Sequence, residues 1–577
     1  MAGKGAGDGR ERREAGAIRK SVRGRLRVAL AYPNTYHVGM SNLGFQEAYR
    51  VANSLAGVVC ERFFTDEGGD VPRSVESGLP LSEFDVVAFS VCFENDYPNL
   101  LTELRRGGVP RYSQARDASF PLVLCGGVTT FLNPEPLAPF MDCFLVGEAE
   151  ALFADFLAMY DPAAPRRDML LSLARNLHGV YVPAFYSPRY NDDGTLAAHE
   201  PVEDVPSVVR CVRATDFTAP PVCSTLLTPD TTFADTYLVE VSRGCPHGCR
   251  FCSAGYVYRP ARFRAPELVE SCLADAAART DRVGLVGAAV SDFPELVRVC
   301  GVASRAGMRV SLSSFRADAV DESLARSVAQ GGAKTATLAP EAGSERMRRV
   351  INKGVDEDDV LRAAETLVAA GIPNLRLYFM VGLPTETDED VDAVVDLAKR
   401  IRHRFLSSSR TRGRIGKITL TVASHVPKPQ TPFQWAAMDD TRTLGEKLKR
   451  VKSGLARVAN VDVQTDVPRW ARIQGLLARG DRRVAGVLAL ADDNRGNWPR
   501  TFKETPVNAD FFTLRERDAS ELFPWDFIRH GVDKSWLRNE YERALRGETT
   551  QPCSFDGCVA CGACLESRAG QDSGVSP

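Results

Sequence analysis

The run Arg243-Gly244-Cys245-Pro246-His247-Gly248-Cys249-Arg250-Phe251-Cys252 sets three cysteines within eight residues. Three thiolates on one tight loop can hold three irons of a cubic iron–sulfur cluster. The fourth iron is then left without a protein ligand and open to a small molecule. A structural zinc site would need a fourth ligand nearby, and His247, wedged between two of the cysteines, is poorly placed to supply it. A disulfide would suit a secreted chain, whereas the first twenty residues are polar, charged and Gly-rich and do not resemble a signal peptide.

Composition agrees with a cytoplasmic enzyme. At 577 residues, with 44% hydrophobic and 25% charged, the chain is ordinary globular material and too long for one core. About three or four domains are expected. No uninterrupted apolar run approaches the ~20 residues a membrane helix needs, so no membrane partner is expected. A formal net charge of −2 gives no global electrostatic case for nucleic-acid binding. Fifteen cysteines in a reducing compartment point to metal or redox work. Seven fall in two clusters, and the rest, scattered in apolar surroundings, read as core residues.

Residues 1–20 read as a disordered tail, rich in Gly and charge with almost nothing to bury. Over 21–200, strands at Leu26–Tyr32, Val58–Phe63, Asp85–Val91 and Pro121–Cys125 alternate with helical stretches, the pattern of a doubly wound, Rossmann-like parallel sheet. Ligands of such sheets sit at the carboxyl ends of the strands, near Tyr32–Met40, Phe93–Tyr97 and Gly126–Asn133. Gly126-Gly127 and Gly147-Glu148-Ala149-Glu150 read either as phosphate or corrin contacts or as turn glycines and a helix-start acid. Residues 201–234, rich in Pro, Val and Thr, read as a linker or a short β excursion.

From Thr236 a second alternation begins. Tyr237–Val241 delivers the cysteine loop, and five further strands follow near Arg282–Gly287, Arg309–Ser313, Thr335–Leu338, Leu375–Val381 and Ile418–Val422. Six parallel units over 235–460 fit a partial (β/α)6 barrel, with reactive groups at the strand carboxyl ends. Those ends carry Gly287-Ala288-Ala289-Val290-Ser291-Asp292, then Ser313-Ser314-Phe315-Arg316, then Ala339-Pro340-Glu341-Ala342-Gly343-Ser344-Glu345-Arg346, continuing to Asn352-Lys353-Gly354. Next comes Gly382-Leu383-Pro384-Thr385-Glu386-Thr387, where Thr387 or Asp388 caps a helix. In Ser424 to Trp435, three prolines fix a rigid loop presenting Lys428, Gln430 and an aromatic pair over the barrel mouth. His425 there reads as a proton-transfer group or as a packed histidine.

The C-x3-C-x2-C spacing, with an aromatic before the last cysteine, resembles the signature of the radical S-adenosylmethionine (SAM) superfamily. That resemblance implies a [4Fe-4S] cluster on Cys245, Cys249 and Cys252, whose free iron binds SAM, and one-electron cleavage of SAM to a 5′-deoxyadenosyl radical. The 339–354 run resembles the branch holding the elongator catalytic subunit, the methylthiotransferases and the cobalamin-type enzymes. It implies SAM contacts from Gly287 and Ala288 and from Arg316 and Glu341, whose guanidinium and carboxylate suit the methionyl carboxylate and ammonium. Alternatively, Arg316 and Glu341 pair with each other and stiffen the barrel mouth. A Rossmann-like sheet ahead of this barrel resembles cobalamin-binding domains. The usual Asp-x-His-x-x-Gly fingerprint is missing, its nearest approach being Asn34, His37 and Gly39, so His37 reads as a loop or substrate-pocket residue.

Residues 461–548 read as a mainly helical region. The basic stretches at Arg442–Asn460 and around Ala478-Arg479-Gly480-Asp481-Arg482-Arg483 read as solvated helix surfaces or as a positive face for RNA. In the tail, 549–577, Cys553, Cys558, Cys561 and Cys564 stand at C-x4-C-x2-C-x2-C. Four thiolates can close one metal centre, a second iron–sulfur cluster or zinc, serving as electron relay or structural staple. The chain therefore reads as a radical SAM enzyme acting on an unknown substrate, whether RNA, protein or metabolite, and fed by a one-electron donor such as flavodoxin or ferredoxin. The alternatives are a cobalamin-dependent radical methyltransferase and a non-enzymatic iron–sulfur or zinc scaffold.

Overall fold

The computed structural model describes residues 13–67, 69–313, 315–410, 415–554, 558 and 560–564. Ser314 and residues 1–12 and 565–577, on which parts of the expected tails fall, lie outside them.

The N-terminal sheet is built from β1 (Leu26–Tyr32), β2 (Val58–Phe64), β3 (Val86–Ser90), β4 (Leu122–Gly126), β5 (Cys143–Leu145) and β6 (Val180–Tyr181) in the order β2-β1-β3-β4-β5-β6. The first five are parallel and β6 is antiparallel. Interior strands of a parallel sheet are covered on both faces, which is why β1, β3 and β4 are near-continuous apolar runs. The strand order reverses between β1 and β3, so a crevice opens there at the carboxyl ends.

Residues 13–20, expected to be disordered, are packed instead. Glu14 Oε2 lies 2.7 Å from Arg62 Nη2, and Ile18 exchanges backbone hydrogen bonds with the Tyr49 hydroxyl. Arg62 is fully buried, and Glu14 and Glu76 together neutralise it. A buried guanidinium left unpaired is costly, which fixes this segment despite its polar composition.

The barrel is a curved wall of parallel strands. One sheet holds β7 (Tyr237–Glu240), β8 (Arg282–Val286) and β9 (Arg309–Leu312). The other holds β10 (Thr335–Glu341), β11 (Asn374–Val381), β12 (Ile418–Ser424) and β13 (Val461–Thr465), and a parallel bridge from Phe315 to Leu338 joins the two. The six expected strands are present, and β13 adds a seventh on the outer edge, pairing with β12 from Ile418↔Val461 to Val422↔Thr465.

The C-terminal region ties the two sheets together. Helices Pro468–Arg479 and Val484–Asp493 lean on the N-terminal sheet, where Asp492 accepts from Arg105 and Thr102. The arginines of 478–483 are engaged: Arg479 is fully buried, Arg482 pairs with Glu135 and Arg483 with Asp481. Helix Lys534–Leu545 instead packs beside the cysteine loop in a small aromatic core with Tyr256, Phe433, Trp435 and Trp525. The proline loop belongs to that core rather than to an open barrel mouth. Trp435 is fully buried, Gln430 donates to the carbonyls of Trp525 and Ile528, and Lys428 pairs with Glu94 of the N-terminal domain.

Candidate functional site

The cysteine loop leaves β7 and is held from three sides. Arg243, the residue ahead of Gly244-Cys245, is gripped by Glu240, Glu148 and Glu150 at 2.8, 2.7 and 2.5 Å. Glu148 also pairs with Arg262 at 2.5 Å and accepts from the Ala214 amide. Both acids of the Gly147–Glu150 run thus fasten the N-terminal domain to the loop. On the second side, Arg250 inside the loop is fully buried on Glu540 and on the carbonyls of Arg349 and Val350. On the third, Asn352 donates to the Gly248 carbonyl at 3.1 Å, and the Arg250 amide donates to Ile351.

The 339–354 run is therefore the scaffold of the cysteine loop. Ser344 caps the helix Glu345–Val350 by accepting from Met347. A Cβ on Gly343 would stand 2.1 Å from the Val394 amide nitrogen, so only glycine lets this turn press against the helix Asp388–Arg410. Thr387 closes the start of that helix on Asp390, which also holds Ser344.

Burial pushes the Cys245 thiol up to about 12, with the neighbouring Cys249 and Cys252 adding to it, and burial also raises Cys252. Buried, crowded thiols resist ionisation unless cations take up the charge, and iron is such a cation. Among the described residues no three His, Cys, Asp or Glu side chains are drawn around a single ion position. Three thiols serving three different irons do not converge on one point. His247, between the cysteines, is engaged by Asp292 at 2.5 Å.

Arg316 and Glu341 do not pair with each other. Arg316 binds Asp318 and the carbonyls of Lys353 and Gly354. Glu341 follows a bulge in β10, takes a left-handed φ of 67°, and faces Lys353 Nζ at 3.4 Å. A left-handed glutamate is strained, and such positions cluster at functional sites. Burial raises the Glu341 carboxyl against the opposing pull of Lys353. Burial works against the Lys353 charge, yet Glu341 and the Cys249 thiol more than offset it and hold Lys353 above its ordinary value. Lys353, not singled out in the sequence, is thus a cation within electrostatic reach of the thiols, as is Arg316.

A cavity of about 670 Å³ lies between the N-terminal crevice and this loop. Gly126, Cys92 and Glu148 line it from one side, and Ser242, Gly287 and Ala288 from the other. Ser242 is buried with its hydroxyl unpartnered, and a Cβ on Gly287 would stand 2.3 Å from that oxygen. A Cβ on Gly126 would meet nothing nearer than 3.9 Å, so its lack of a side chain widens the cavity rather than serving packing. Gly127, in contrast, has φ 102° and no room beside Val91. Asn34, His37 and Gly39 are committed elsewhere: Asn34 donates to Asp96, His37 meets Thr232 at the surface, and Gly39 abuts Phe64. His425 is fully enclosed and burial lowers it to about 3, the state of a packed neutral histidine.

Residues 239–398 match the family described as radical SAM superfamily, and residues 44–183 match radical SAM proteins, N-terminal. The chain belongs to the radical SAM superfamily and is an enzyme of that class. It is 28% identical over 473 residues to an uncharacterized protein of Methanocaldococcus jannaschii, covering 80% of this chain and 90% of that one. Among solved structures, the methyltransferase TsrM of Kitasatospora setae with cobalamin and [4Fe-4S] cluster bound is 13% identical, covering 83% of this chain and all of that one at a TM-score of 0.47. OxsB with aqua-cobalamin bound is 16% identical at a TM-score of 0.44; the match covers 65% of this chain and spans about half, 52%, of that one. No helix among the described residues is long and apolar enough to cross a membrane.

Proposed function

We propose that Cys245, Cys249 and Cys252 hold a [4Fe-4S] cluster with one open iron for SAM, and that the radical so produced acts on a ligand held in the adjoining cavity. The observation that carries this reading is the placement of the three-thiol loop, with Cys249 buried, beside a largely apolar cavity lined by Arg243, Gly244 and Ser253 at the loop's two ends. When bound, the cluster supplies one electron for reductive cleavage of SAM to methionine and a 5′-deoxyadenosyl radical.

The chain's own residues hold, orient and exclude water. Ser242, with Gly287 and Ala288, offers a hydroxyl and open backbone where the SAM amino group is expected, and Arg316 and Lys353 supply cations for its carboxylate. Glu341 remains near enough to exchange Lys353 for the ammonium. The apolar walls keep water from a reactive intermediate. A cavity of this size suits a small molecule or cofactor better than a macromolecular segment. The electron donor we assign is a one-electron carrier of the flavodoxin or ferredoxin class, and the compartment the cytoplasm, where fifteen thiols stay reduced.

A second reading places cobalamin in the cavity, making the enzyme a radical methyltransferase. The cavity stands at the carboxyl ends of the parallel strands, where ligands of such sheets bind, and Gly126 leaves it open there. No histidine reaches in from the first strand, so a corrin would be held without a protein ligand from that position. Anaerobic reconstitution followed by electron paramagnetic resonance tests the first reading. A reduced-cluster signal that shifts on adding SAM, and is lost in Cys249→Ala, supports it; a SAM-insensitive signal contradicts it. Retention of corrin absorbance through gel filtration tests the second.

A further inference from the structure

We propose that Cys553, Cys558, Cys561 and Cys564 hold a second iron–sulfur cluster that feeds electrons directly to the cluster on the Cys245–Cys252 loop. The proposal rests on the reading of that loop given above.

The tail is fastened to the loop itself. The Cys553 amide donates to the Pro246 carbonyl at 2.9 Å, so a ligand of one centre is hydrogen-bonded to the residue following a ligand of the other. Asn352 repeats the link one step away, donating to Gly248 of the loop and to Thr550 of the tail while accepting from the Thr550 amide at 2.9 Å. The far end is pinned where the Asp533 amide donates to the Cys561 carbonyl at 2.9 Å.

Against the loop stands Arg259, its Nη2 3.8 Å from where a Cβ on Gly248 would lie. Its side chain is buried, it donates to the Gly255 carbonyl at 2.5 Å, and its guanidinium lies 5.0 Å from the ring centres of both Tyr256 and Trp536. On the tail side, Cys561 and Cys553 lie within its electrostatic reach. Among the described residues no carboxylate pairs with Arg259. A buried guanidinium needs a countercharge, and a thiolate-ligated anionic cluster supplies one.

The tight C-x2-C-x2-C, with Val559, Ala560, Gly562 and Ala563 between, leaves room for cluster sulfides as in ferredoxins. A purely structural centre has no need to touch the SAM loop, whereas a relay does. One electron passes from the reduced tail centre to the oxidised loop centre. The tail centre is thereby oxidised and the loop centre reduced, and a low-potential carrier of the flavodoxin or ferredoxin class returns one electron to the tail. No bond forms or breaks in that step and no proton moves.

The full chain, reconstituted anaerobically, provides the test. Iron and sulfide per chain are expected to fall by about half in C558S/C561S, with no zinc in the wild type. Fully reduced wild-type protein should give a spin-coupled resonance spectrum that collapses to an uncoupled signal in that variant and in Cys249→Ala. The yield of 5′-deoxyadenosine with reduced flavodoxin, relative to that with titanium(III) citrate, should fall about tenfold or more in C558S/C561S. Zinc in place of iron, two uncoupled clusters, or equal losses with both reductants would overturn the proposal. The coupling measurement on wild-type protein decides the matter even where the variant folds poorly. Unchanged iron in Cys249→Ala would instead remove the loop cluster, and the relay with it, while leaving the tail's own iron to be read in C558S/C561S.

Discussion

Glu148 Oε2 lies 2.7 Å from Arg243 Nη1, joining the carboxyl end of the N-terminal sheet to the residue that starts the cysteine loop. The same carboxylate holds Arg262, and all three side chains are largely buried. Each domain therefore presents the other with half of the cavity wall, and the distance across it is set by a charged clamp.

Removing that clamp leaves two buried guanidinium groups short of countercharge. Glu148→Ala is expected to lower the free energy of unfolding by about 3–5 kcal/mol, with Glu148→Gln intermediate. Urea unfolding monitored by tryptophan fluorescence measures it, and a loss below about 1 kcal/mol would show that Glu240 and Glu150 suffice for Arg243.

Neighbouring glycines should respond oppositely. Gly126→Ala has space and costs nothing in conformation, so stability stays level or rises by about 0.4–1 kcal/mol, whereas Gly127→Ala, at φ 102° against Val91, destabilises by more than that. Gly126→Leu projects into the cavity and is expected to abolish retention of any corrin. Binding equal to that of the wild type would place the ligand elsewhere.

The seam between the N-terminal sheet and the C-terminal helices carries an acid-sensitive pair. Burial raises the Glu135 carboxyl, but Arg482 at 3.0 Å and the nearby His199 outweigh it and hold the group at about 2, below its ordinary 4.5. A depressed carboxyl contributes stability above its unfolded value and loses it as pH falls toward the folded one. Between pH 7 and pH 3 this group should withdraw about 2 kcal/mol of stability. Glu135→Gln should flatten that acid limb in denaturant melts; an unaltered limb would mean that the pair does not set it.

Lys353 places positive charge beside Cys249 and Cys252. Replacing it with methionine should make a cluster there harder to reduce, by roughly 60 mV, a tenfold change in the equilibrium. Lys353→Arg should recover most of the potential in a spectroscopic redox titration, and no shift in Lys353→Met would separate the side chain from the cluster.

The parts of this architecture written in local pattern were legible. Three cysteines at fixed spacing mark the loop that leaves β7, and fully apolar strands such as Leu122–Gly126 announce a buried parallel sheet. What was not legible depended on partners distant in sequence. Lys353 looks like an ordinary loop lysine until left-handed backbone at Asn352 and Gly354 turns it back toward Glu341. The seventh strand, Val461–Thr465, is a half-exposed edge with alternating polar residues, and it follows a long basic helix without a strong break. The proline loop was expected over the barrel mouth because its polar residues suggested a binding surface. Its burial comes instead from Phe433 and Trp435 meeting aromatic side chains almost a hundred residues later.

The most direct measurement of the central claim is the yield of 5′-deoxyadenosine from SAM, taken anaerobically with reconstituted, reduced wild-type protein and with Cys249→Ala. Product is expected from the wild type and none above background from the variant. Equal yields from the two, or none from wild-type protein carrying its full iron and sulfide, would contradict it.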